Sequence, residues 1–146
     1  MNVSLDVELP RCSRAIPVLR HSVVRLCAEI GVSPDDIQDL SLALAEACNN
    51  VVLHAHDDDS FAITFSLVDL TAKVVVRNSK TPYPAAVMDS AMGAVDPLSE
   101  SGRGMAIMRA LVDTARFAPG DGGGTLVELT RQVSASGGTL LADAAG

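Results

Sequence analysis

Residues Val3 to Leu9 alternate apolar and polar side chains, the period of a half-buried strand, and predict a short strand at the edge of a sheet. The spacing then changes. From Ser13 to Ile30 the apolar residues Ile16, Leu19, Val23, Leu26, Cys27 and Ile30 recur three and four apart, which predicts a helix, with Pro17 tolerated only near its start. Gly31 can end that helix, while Ser33, Pro34 and Asp36 supply an N-cap, an N1 proline and a capping-box acid for a second helix from about Pro34 to about Ala55. Its core face reads Ile37, Leu40, Leu44, Ala47, Cys48 and Val51. The run Asp57-Asp58-Asp59-Ser60 reads as a solvated turn and not as a metal site. Beyond it, Phe61 to Val68 alternates strictly, and the Val-rich run Ala72 to Arg77 suits a buried, central strand.

Asn78 to Gly102 holds three prolines among sparse apolar residues and predicts a long, partly mobile loop with one short helix near Val87 to Met92. Met105, Ile107, Met108, Leu111 and Val112 then mark a third helix. Ala115 to Ala118 and Leu126 to Gln132 form a hairpin around the glycine-rich stretch from Pro119 to Gly124. From Ser134 on, the residues are small and weakly apolar, so residues 134–146 are expected to be a disordered tail behind one domain at 1–133. The order of elements argues for a two-layer α/β sandwich, with helices on one face of a mixed, mainly antiparallel sheet.

Bulk properties narrow the function classes. A chain of 146 residues fits one core. No stretch approaches the run of about 20 apolar residues that spans a membrane. The start Met-Asn-Val-Ser-Leu-Asp-Val-Glu lacks the pattern of a signal peptide, so a cytoplasmic protein is expected. The net charge is −7 and the arginines are scattered, which disfavours direct nucleic-acid binding. Cys12, Cys27 and Cys48 show no metal spacing and read as plain thiols, the last two on apolar helix faces.

Candidate chemistry sits on the second helix, where Glu46 and Asn50 stack one turn apart and His54 continues the stripe. Taken alone, such a pair is typical of a solvated helix face. The whole segment Leu44-Ala45-Glu46-Ala47-Cys48-Asn49-Asn50-Val51-Val52-Leu53-His54-Ala55 resembles the N-box of the GHKL (histidine-kinase-like ATPase) superfamily, and most closely that of bacterial anti-sigma-factor serine kinases. Ser101-Gly102-Arg103-Gly104-Met105 resembles the family's glycine-containing phosphate box, and Gly124-Thr125 its late G-T near adenine. The resemblance implies a Bergerat-type ATP-binding fold, Asn50 as the Mg²⁺ ligand, Glu46 as the base that takes a proton from the attacking hydroxyl, and a lid over about Thr81 to Ser101. It also implies ATP contacts from Asn78, Gly102, Arg103, Gly104, Met105 and Thr125.

One box departs from the family. Where its relatives carry D-x-G-x-G, this chain reads Asn78-Ser79-Lys80-Thr81-Pro82. An Asn oxygen still accepts a hydrogen bond from adenine, without the charge assistance of a carboxylate. Restoring Asp at Asn78, with Gly at Lys80 and Pro82, is therefore expected to tighten binding. The implied function is an ATP- and Mg²⁺-dependent serine kinase that holds a sigma factor and phosphorylates an anti-anti-sigma (STAS-type) protein, with a homodimer expected. The alternative is a module of the same fold that binds nucleotide poorly and acts by sequestering its partner. A sensor histidine kinase is disfavoured, because no separate helical segment carries a phosphoacceptor histidine and His21 reads as a surface residue.

Overall fold

The computed structural model describes residues 1–82 and 100–145. Among the described residues five strands form one sheet: β1 (Asn2–Pro10), β2 (Ser60–Val68), β3 (Thr71–Asn78), β4 (Thr114–Pro119) and β5 (Thr125–Gln132). Their order is β1-β2-β3-β5-β4 and every pairing is antiparallel. The Val-rich run is thus the central strand, and the alternating first strand is an edge. Because side chains alternate across a strand, Phe61, Ile63, Phe65 and Leu67 of β2 and Ala72, Val74 and Val76 of β3 all reach one face, where they are buried. Helices α1 (Ala15–Ile30), α2 (Pro34–His54) and α3 (Glu100–Leu111) supply the other half of that core.

Helix α2 starts where its signals place it, with the Ser33 hydroxyl accepting from the Asp36 N–H. The Asp36 side chain does more than a capping-box acid would. It accepts from the Ser33 hydroxyl, the Ser134 N–H and the Arg131 guanidinium, tying the helix to β5 and to the chain that follows. Burial pushes the Asp36 carboxyl up, but those donors outweigh it and hold the group below the usual carboxylate range.

Two expectations change. Residues 134–145 are ordered: Val32 and Ala135 form a β-bridge, Ser136 N–H donates to the Gly31 carbonyl, and a short helix α4 (Leu140–Ala145) buries Leu141. Main-chain bonds and one leucine suffice to anchor a segment whose composition looks unable to pack. Helix α3 begins at Glu100, so Gly102 and Gly104 lie inside its opening turns instead of leading into it. The short helix expected near Val87 to Met92, and most of the lid, fall outside the described residues.

Candidate functional site

The Glu46 and Asn50 stripe of α2 faces helix α3. Asn50 is only 3% exposed, so this is no solvated face. The cause is Gly104. A Cβ on that residue would stand 3.1 Å from Glu46 Oε2 and 3.6 Å from Asn50 Oδ1, so the missing side chain lets α3 approach the two polar groups. Around them opens a cleft of about 450 Å³, with Ser13, Asn49, Leu53 and Ile107 in its wall. Asn50 Nδ2 is buried there without a hydrogen-bond partner among the described residues, an arrangement that a ligand or water commonly completes. Gly104 therefore joins Glu46 and Asn50. Gly102 and Arg103 lie just ahead of it on α3, while the Met105 side chain is buried in the core and leaves only its backbone to a ligand.

A second cluster forms where β3 and β5 meet. Asn78 and Thr125 are register partners, and both are buried. Their side chains converge on one acceptor, the Thr81 carbonyl, at 2.5 Å from Asn78 Nδ2 and 3.0 Å from Thr125 Oγ1. Gly124 makes this crossing possible, since a Cβ there would fall 1.9 Å from the Asn78 carbonyl oxygen. Asn78 Oδ1, the atom expected to accept from adenine, is buried and has no partner among the described residues. Asn78 and Thr125 border a groove of about 440 Å³ that also takes in Ser60, Arg77, Ser79 and Gly120. Among the described residues this groove and the α2–α3 cleft are separate hollows.

Sequence reasoning missed Asp58. It sits in the acidic run read as a solvated turn, yet it is 3% exposed. Its carboxylate accepts from the backbone N–H groups of Ser79, Lys80 and Thr81, from the Ser79 hydroxyl and from Asn78 Nδ2. Burial alone would raise this carboxyl, but the Asn78, Thr81 and Ser79 donors outweigh it and hold it far below the ordinary carboxylate range. Arg11 braces the same loop from below, donating to the Asp58 and Val52 carbonyls. The only hint in the sequence is that an Asp in a turn can gather nearby backbone N–H groups; the partners here lie twenty or more residues away.

The residues present fit a nucleotide in two respects: Asn78 offers a buried acceptor without a partner among the described residues, and a glycine-made hollow adjoins a carboxylate and an amide. Comparison with known proteins shows the family. Residues 10–131 match the model of the histidine kinase-like ATPase domain. A serine-protein kinase RsbW from Halalkalibacterium halodurans is 26% identical over 126 residues, 82% of this chain and 78% of that protein. Its counterpart in Bacillus cereus is 25% identical over 126 residues, covering 81% of this chain and 79% of its own. The crystal structure of the RsbU and RsbW domains of a Mycobacterium tuberculosis protein superposes with a TM-score of 0.68 over 92% of this chain, at 24% identity. This chain spans 33% of that one, and the likeness speaks for the fold.

Proposed function

Because this chain belongs to the histidine kinase-like ATPase domain family, we propose that it is an anti-sigma regulatory factor: a Mg·ATP-dependent serine kinase that binds a sigma factor and phosphorylates a serine of an anti-anti-sigma, STAS-type protein. The observation that carries this reading is the pairing of Glu46 and Asn50 one turn apart against Gly104. Bound Mg·ATP would supply the phosphoryl group and the cation that neutralises its charge. Asn50 would hold the metal through its amide oxygen. Glu46, half-buried beside it, would take the proton from the incoming serine hydroxyl. Backbone N–H groups in the opening turns of α3, at Gly102 to Met105, would meet the phosphates, and Asn78 and Thr125 would meet the base. These partners imply work in the cytoplasm, without direct contact to nucleic acid, and with a homodimer as the expected assembly.

The alternative is a sequestering module of the same fold. One observation favours it: Asn78 Nδ2 and Thr125 Oγ1 are already engaged by the chain's own Thr81 carbonyl. Incubating the purified protein with Mg·ATP and a STAS-type protein of its own organism separates the two. Phosphoserine on the STAS protein supports the kinase; a stable complex without transfer supports sequestration.

A further inference from the structure

The Asn78 amide is held from two sides. Its nitrogen donates to Asp58 Oδ2 at 3.0 Å and to the Thr81 carbonyl at 2.5 Å. Both neighbours are acceptors, so the amide cannot turn over: exchanging N and O would set Oδ1 against a carboxylate and a carbonyl. Asp58 is itself fixed by three backbone N–H groups and a hydroxyl from Ser79 to Thr81. What remains to Asn78 is one buried oxygen with no partner among the described residues. Leaving an acceptor in that state costs free energy that a donor on a ligand would recover.

Building on the reading of this chain as an ATP-binding protein, we infer that Asp58 is a positioning residue for base selection. It orients Asn78 so that the amide offers only an acceptor, and so selects a purine with an amino group at position 6 over one with an oxo group there. The pair Asp58 and Asn78 together carries one negative charge and one spare acceptor. An oxo group at position 6 would face that acceptor with another acceptor, and the site would lose its hydrogen bond.

The same geometry reverses the expectation for the family's aspartate. A carboxylate at position 78 would stand within hydrogen-bond distance of Asp58 and of the Thr81 carbonyl, with no donor between them. Two buried like charges cannot both ionise cheaply. Restoring the family's residue alone should therefore damage this site.

The test uses calorimetric titration of the full chain and of N78D, D58N and D58N/N78D with Mg·ATP and with Mg·ITP, and the melting temperature of each without nucleotide. The wild type should bind ATP at least about tenfold more tightly than ITP, the value of one hydrogen bond. D58N, which removes one of the two acceptors that hold the Asn78 amide and leaves the Thr81 carbonyl, should lower that ratio, a change that a merely structural residue would not produce. N78D should melt at least about 3 °C lower and bind ATP more weakly. The double variant should recover part of both losses, because the new amide at 58 can donate to the new carboxylate at 78. N78D that melts like the wild type and binds ATP equally or better overturns the inference, as does D58N with the full preference for ATP. The N78D comparison stands by itself where D58N does not fold. Binding of neither nucleotide by the wild type refutes the ATP reading and this inference with it; tight but equal binding of both refutes only the role of Asp58.

Discussion

Glu46 Oε2 lies 3.1 Å from the point that a Cβ on Gly104 would occupy, so the packing of α3 on α2 depends on the absence of one methyl group at the mouth of a polar cleft. Gly104→Ala separates packing from binding. Alanine favours a helix by up to about 1 kcal/mol over glycine, which offsets the tight contact and leaves stability within about 1 kcal/mol of the wild type. Affinity for Mg·ATP should nevertheless fall about tenfold, a loss of about 1.4 kcal/mol, because Glu46 and Asn50 must yield. Melting and calorimetry on the same preparation check this. Unchanged affinity would remove the cleft from the binding site.

Binding and chemistry should part company on α2. Glu46→Gln keeps size and removes the proton acceptor, so Mg·ATP affinity should hold while phosphate transfer falls about 10²- to 10⁴-fold. Asn50→Ala should lose affinity as well as rate. Single-turnover transfer beside equilibrium binding checks both. Near-normal transfer by Glu46→Gln would withdraw its assigned role.

Acid stability should trace to Asp58 and Asp36. Both carboxyls are held below their unfolded value of about 3.9 by hydrogen bonds, so the folded chain binds fewer protons than the unfolded one. Their contribution is complete above the unfolded value and is lost as the pH falls through the lower, folded ones. Melting temperatures should therefore drop steeply below about pH 4. Asp58→Asn should cost about 2 kcal/mol at pH 7 and flatten the acid limb. An acid limb of unchanged slope in that variant would show that Asp58 does not drive it.

Of the three thiols, Cys27 and Cys48 are buried and pushed up to about 11 and about 12 by that burial, whereas Cys12 is exposed. A chromogenic disulfide reagent at pH 8 should modify one thiol quickly in the native protein and all three in denaturant. Fast reaction of a second thiol would mean that the α1–α2 core opens readily.

The legible parts of this molecule were those that repeat or obey local rules. Ser33 and Pro34 announce the start of α2, strict alternation marks β2, and the Glu46–Asn50 spacing holds on any helix. Asp58 was illegible because its burial comes from the backbone N–H groups of Ser79 to Thr81, which leave no mark in a sequence. The same holds for residues 134–145, which are anchored by main-chain bonds to Gly31 and Ser33. The start of α3 at Glu100 was hidden by glycines that read as the end of a loop.

The most direct measurement is a calorimetric titration of the purified chain with Mg·ATP, run beside Asn50→Ala. Saturable binding by the wild type, weakened at least about tenfold in the variant, is the expected result. No heat and no change in melting temperature at millimolar Mg·ATP would contradict it, since any ligand specific for the folded state must raise that temperature.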